Sequence, residues 1–140
     1  MRYYSLNHNS KPCSFAEAVK KGLAPDRGLY FPEKIPILPK KFFDKIEDQS
    51  IPEIALKVIK PFIGNQINNN KLFEIVTDTL NFKFPVVEIT NSIAALELFQ
   101  GPTLAFKDVG ARFMARTLRH LNKGSKEKII VMVATSGDTG

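Results

Sequence analysis

The sequence predicts an α/β protein: a small mixed α+β N-terminal domain over residues 1–90, then the start of a parallel-sheet domain over 91–140. Three observations predict it. The first ninety residues are dense in helix-capping patterns and prolines. Ile129, Ile130, Val131, Met132 and Val133 form an unbroken apolar run, the pattern of a strand buried on both faces of a parallel sheet. That run follows an amphipathic helical stretch and precedes a Gly/Ser/Thr turn, so the C-terminal part reads strand, helix, strand and then a turn that opens a helix.

Taken in order, residues 2–6 read as a short aromatic strand. Ser14-Phe15-Ala16-Glu17 is a capping box, and its helix stops at Gly22 behind Lys20 and Lys21. Pro25-Asp26-Arg27-Gly28 is a turn, and Leu29-Tyr30-Phe31 a brief strand that Pro32 ends. Residues 40–47 are expected to be helical. Ser50-Ile51-Pro52-Glu53 is a second capping box, with proline in the first turn where it is tolerated, and this helix ends near Gly64. After Asn68-Asn69-Asn70, residues Leu72, Ile75, Val76 and Leu80 recur at helical spacing. Residues 85–90 read as a strand, and 94–99 as a second one before Gly101-Pro102. A helix over 108–122 places Val109, Phe113, Leu118 and Leu121 on or near one face.

Composition narrows the function classes. The chain has 140 residues, enough for a core of its own, and its 44% hydrophobic content argues against disorder. It carries 20 Lys+Arg against 14 Asp+Glu, a net +6 spread along the chain; this suits an anionic partner and is also the charge of an ordinary solvated surface. Cys13 is the only cysteine and His8 and His120 the only histidines, so no internal disulfide forms and no metal site is expected. The first residues lack the apolar stretch of a signal peptide, and no run approaches the ~18 apolar residues of a membrane span. The expectation is a soluble cytoplasmic protein with no membrane partner.

Two segments carry chemistry. Gly101-Pro102-Thr103-Leu104-Ala105-Phe106-Lys107-Asp108 places a lysine where a helix begins, among Leu104, Ala105, Phe106 and Val109. A Schiff-base lysine must spend time as the neutral amine, and both apolar neighbours and a helix's positive end make the ammonium costly. Asp108 can cap the same helix, and its charge acts in the opposite direction. Taken alone, a surface lysine beside a capping aspartate explains the pattern more simply. The other segment, Ala134-Thr135-Ser136-Gly137-Asp138-Thr139-Gly140, follows the apolar run. Its glycines let backbone N–H groups converge, its hydroxyls add donors, and the helix it opens favours an anion, carboxylate or phosphate. No Gly-Lys-Ser/Thr follows, so it is not a phosphate-binding P-loop.

Together these segments resemble the threonine synthases, pyridoxal-phosphate enzymes of the tryptophan-synthase-β fold type. Ser14-Phe15-Ala16-Glu17-Ala18-Val19 and Gly22-Leu23-Ala24-Pro25-Asp26-Arg27-Gly28-Leu29-Tyr30 resemble the N-terminal region of the same family, so the likeness runs along the whole chain. The resemblance implies a cofactor-binding domain over 91–140, with Lys107 as the catalytic lysine that joins pyridoxal 5'-phosphate and later moves protons. It implies Phe106 and Asp108 beside the cofactor, and Thr135, Ser136, Gly137, Asp138 and Thr139 as the loop that receives the substrate carboxylate. The implied reaction converts O-phospho-L-homoserine and water to L-threonine and phosphate. Gln100 stands where members of the family often carry His. The family's glycine-rich cofactor-phosphate loop, the pyridine-nitrogen partner and most substrate-phosphate contacts are expected beyond Gly140. The chain therefore reads as the front piece of a longer enzyme, inactive by itself.

Two other readings stand beside this one. A phospholyase that releases a keto acid from the same substrate shares every visible residue. From a different class, Arg112, Arg116, Arg119 and Lys123 recur along one helix face, the pattern of a basic nucleic-acid-binding module, although no nucleic-acid motif accompanies it and no nucleic-acid partner is expected. The sequence leaves the oligomeric state open.

Overall fold

The computed structural model describes residues 1–126, 128–135 and 137. The chain divides into two compact units, Met1–Thr77 and Asp78–Gly140. Residues 90 and 91, where the sequence suggests a division, are the end of a strand and the start of its hairpin turn within the second unit.

The first unit is built on an antiparallel three-stranded sheet of order β2–β1–β3, with β1 over Arg2–Ser5, β2 over Cys13–Ser14 and β3 over Tyr30–Pro32. Pro32 continues β3 rather than ending it, because β3 is an edge strand and its missing N–H disrupts no inner ladder. Helix α1 (Phe15–Lys21) starts at the anticipated box: the Ser14 hydroxyl accepts from Glu17 N–H and the Glu17 carboxylate accepts from Ser14 N–H at 2.9 Å. Helix α3 (Ile51–Ile63) has the same device at Ser50 and Glu53. Gly22 and Gly64, both at positive φ, end these helices where the sequence places the ends.

The expected helix over 40–47 shortens to one turn, α2 (Lys40–Phe43). Its N-cap is Pro39, which has no side chain to accept an N–H, and it buries no residue. Helix α4 (Asn69–Thr79) supplies Leu72, Ile75 and Val76 to a core that also holds Tyr3, Phe15, Ile63 and Ile67. Tyr3 and Phe15 pack with ring centroids 6.0 Å apart, and the Tyr3 hydroxyl donates to the Phe62 carbonyl at 2.9 Å.

Asp26 holds the loops above this sheet. It accepts from the Ser5 hydroxyl at 2.6 Å, from Asn9 N–H at 2.9 Å and from Gly28 N–H at 3.1 Å. These bonds, the Ser5 one foremost, hold its carboxyl below the usual range. A carboxyl depressed in the folded state stabilises the fold above its unfolded pKa, and the contribution is lost as pH falls through the folded one. The capping glutamates Glu17 and Glu53 are depressed for the same kind of reason. Thermal unfolding followed by circular dichroism should therefore give a midpoint that is level from pH 8 to 5 and falls below about pH 4. Asp26→Asn should remove part of that fall.

The second unit contains a hairpin, β4 (Val86–Thr90) with β5 (Ile93–Leu96), and helix α5 (Lys107–Leu121). The strand expected over 94–99 starts earlier and pairs antiparallel with β4. The reason is the connection: Asn91 and Ser92 alone lie between the strands, and two residues can only reverse the chain, never carry it across to a parallel neighbour. Residues 128–134, expected as a buried strand, form none, and Ile130 and Met132 are 81% and 90% exposed. A strand in the middle of a parallel sheet needs a hydrogen-bonded neighbour on each side, and among the described residues this segment has neither. No parallel pairing occurs among them.

Candidate active site

Lys107 is the first residue of α5, and it is half-buried. The loop before it makes this position. Gly101 is buried, and the Leu104 N–H closes a turn onto the Gly101 carbonyl at 3.0 Å. Leu104 sits at φ +58°, in the left-handed region that a branched apolar side chain seldom adopts. The chain then enters the helix through Phe106, an N-cap with no side-chain acceptor.

Asp108 does not cap α5 as expected. It stands one residue past the helix start, and its carboxylate turns back to the loop: Thr103 N–H donates to Oδ2 at 2.9 Å and the Thr103 hydroxyl donates to Oδ1 at 2.7 Å. The residue is 4% exposed. These bonds, the hydroxyl one first, hold its carboxyl below the ordinary aspartate range, with Lys107 and Arg112 adding a smaller Coulombic pull. The carboxylate also fills the space beside Gly101, where an added Cβ would lie 2.4 Å from Oδ2. Sequence reasoning missed Gly101 and Thr103 as parts of this arrangement, although both stand inside the lysine motif and a Thr five residues before an Asp is within reach of a turn.

The apolar envelope anticipated for Lys107 is incomplete among the described residues. Leu104 and Phe106 are 74% and 60% exposed, while Ala105 and Val109 are half-buried. Leu104 is carried outward by its left-handed backbone, and an N-cap side chain such as that of Phe106 lies outside the helix's packed stripe.

Of the second segment, Ala134, Thr135 and Gly137 are described. The Thr135 hydroxyl accepts from Gly137 N–H at 3.0 Å, and Gly137 has φ +121°. Ser136, Asp138 and Thr139 lie outside the described residues. The structure thus gathers Phe106, Lys107 and Asp108 at one helix start, whereas the buried strand expected over 128–134, just before Thr135, does not form among the described residues.

The basic face of α5 is partly engaged. Arg112 donates to the Asp78 carbonyl and to Asn81 Oδ1, each at 2.7 Å, and its guanidinium lies 5.5 Å from the centre of the Phe82 ring. Arg116 pairs with the Asp78 carboxylate, which lowers that acid's pKa. Two of the four cations that made up the stripe therefore hold α5 to residues 78–82. Elsewhere, an open groove of about 700 Å³ in the first unit is lined by residues such as Leu38, Phe42, Leu56 and Lys60 and contains none of the expected site residues. Among the described residues no group of three or more His, Cys, Asp or Glu could hold a metal ion, and no helix is long and apolar enough to cross a membrane.

The family described as "Threonine synthase N terminus" matches residues 2–80. A threonine synthase from Buchnera aphidicola subsp. Baizongia pistaciae is 41% identical over 141 residues, covering 100% of this chain and 33% of the relative. The threonine synthase of Escherichia coli K12 is 38% identical and covers 100% of this chain and 32% of its own length. The crystal structure of the Escherichia coli enzyme superposes with a TM-score of 0.82 over 86% of this chain and 28% of that one. A threonine synthase from Brucella melitensis with PLP bound gives 0.82 at 33% identity, over 87% of this chain and 27% of that one. The chain spans about a third of the length of the curated relatives it matches.

Proposed function

The chain belongs to the threonine synthase family, and from that premise we propose that it forms the N-terminal third of a cytoplasmic pyridoxal-phosphate lyase that converts O-phospho-L-homoserine and water to L-threonine and phosphate. The observation that carries the proposal is Lys107, a half-buried residue set at the first position of α5 by a loop with a buried glycine and a clamped threonine. That is the group the cofactor demands of this part of an enzyme: an amine on a rigid junction, at the positive end of a helix.

Pyridoxal phosphate, when bound, supplies the electron sink that makes protons on the substrate's Cα and Cβ removable. This chain's own contribution would be the Lys107 amine, which would hold the cofactor and would hold and move protons at the substrate's Cα and Cβ. Phe106 offers an exposed ring beside that amine. Asp108 belongs to the same cofactor region. Thr135, Ser136, Gly137, Asp138 and Thr139 receive the substrate carboxylate on their N–H and hydroxyl donors. The cofactor domain is read as beginning after residue 90. The groups that hold the cofactor's phosphate belong to the remaining two thirds of the enzyme, so the 140-residue chain alone is expected to give no turnover.

A phospholyase yielding a keto acid would use the same residues. The complete enzyme, loaded with pyridoxal phosphate and given O-phospho-L-homoserine, should release phosphate and L-threonine in equal amounts. Phosphate with a 2-keto acid instead would move the protein to the phospholyase reading, and no phosphate at all would reject both.

A further inference from the structure

We infer that Asp108 acts in this enzyme as a positioning residue rather than a cofactor ligand: by clamping Thr103 it fixes the loop 101–106 and hence the place from which the Lys107 amine reaches the cofactor. This rests on the reading of Lys107 as the cofactor lysine and assigns its neighbour a different part.

The geometry separates the two parts. Each Asp108 oxygen already takes a hydrogen bond from Thr103, and with 4% exposure little of the residue is left for a ligand to approach. Adjacent residues in a helix point about 100° apart, so the Lys107 and Asp108 side chains leave the first turn in different directions. The clamp closes a ring from Thr103 to Asp108, and Lys107 lies inside it. The ring encloses Leu104 at φ +58°, a backbone state of the kind that persists only where surrounding contacts impose it. Two charge-assisted bonds to the carboxylate are contacts of that kind. Gly101 completes the device, because any side chain there would occupy the carboxylate's place. Without the clamp, Leu104 relaxes toward ordinary backbone angles and the helix start moves with it.

The test uses the complete cofactor-loaded enzyme with Thr103→Val, Thr103→Ser, Asp108→Asn and the Val/Asn double variant. Thr103→Val keeps the N–H donor and removes the hydroxyl; Thr103→Ser restores it. On a positioning role, Thr103→Val and Asp108→Asn each lower kcat by about tenfold with the visible band of the lysine-bound cofactor retained, because small misplacements of a reacting group cost rate before they cost binding. The double variant falls by about the same factor rather than a hundredfold, since both changes break one device. Thr103→Ser, which restores the hydroxyl to Asp108, returns to near the parent kcat. Asp108→Asn losing the cofactor band while Thr103→Val behaves as the parent enzyme would overturn the inference and return Asp108 to the cofactor itself. Fully additive losses would also overturn it. Failure of the underlying reading is seen separately, as a cofactor band that survives Lys107→Ala.

Discussion

Lys107→Ala in the complete enzyme should lower turnover by at least about a thousandfold, because it removes both the covalent anchor of the cofactor and the base that moves protons on the substrate. The loss is expected in kcat and in the spectrum together: the visible band of the lysine-bound cofactor disappears, and borohydride no longer fixes the cofactor to a peptide containing residue 107. Folding should be little changed. Lys107 is half-buried on the first turn of α5, and a substitution at such a position usually alters stability by no more than about 0.5 kcal/mol. This separation of a large kinetic effect from a small structural one distinguishes a working lysine from a supporting one. A variant that keeps a tenth of the parent's activity, with an unchanged melting temperature, would place the cofactor elsewhere. Lys107→Arg tests the same point without removing the positive charge: a guanidinium does not form the bond to the cofactor, so it should be as inactive as alanine.

The largest stability effect is expected at Gly28, far along the chain from the lysine. A Cβ added there would lie 2.0 Å from the Ser5 hydroxyl and 2.9 Å from the Asn7 backbone nitrogen. The first neighbour can escape only by rotating, which breaks its 2.6 Å bond to Asp26; the second is backbone and moves only with its strand and loop. Ser5 is fully buried, so its hydroxyl would be left without a partner in the interior. Overpacking and an unsatisfied buried hydroxyl together place Gly28→Ala at about 3 kcal/mol or more of destabilisation. Urea unfolding of the 140-residue chain checks this, with the midpoint falling and the slope unchanged. Ser5→Ala in the same background should recover part of the loss, because it removes the atom the new methyl meets. If Gly28→Ala unfolds at the parent's midpoint, the Asp26 loops are looser than their hydrogen bonds imply.

The correct and incorrect parts of the sequence reading differ in the range of the interactions that produce them. Ser14 with Glu17 and Ser50 with Glu53 announce two helix starts because both partners of each box lie within one turn. Gly22 and Gly64 announce the ends for a similar reason: each supplies locally a backbone angle that side chains disfavour. The position of Lys107 at a helix start was legible on the same grounds, and the lysine motif carried the family resemblance that the comparisons bear out. Strand β2 was not legible, since two residues carry no alternation and Cys13–Ser14 is a strand only because Arg2–Ser5 lies beside it. The apolar run over 128–134 misled in the opposite sense, having the composition of a buried strand with no neighbour to pair with among the described residues.

By itself the sequence determined the capping boxes that start α1 and α3, the glycines that end them, the stretches that form α4 and α5, and the lysine around which the chemistry is proposed. These follow from interactions between residues a few positions apart, which sequence states directly. Only the tertiary structure decided that Asp108 turns back to Thr103 instead of capping its helix, that Gly101 must leave room for a carboxylate, and that Arg112 and Arg116 bind Asp78, Asn81 and Phe82 rather than standing out as a basic face. A charged side chain has several partners within its reach, and the one it takes depends on which backbone groups folding brings near and how much water is left around them.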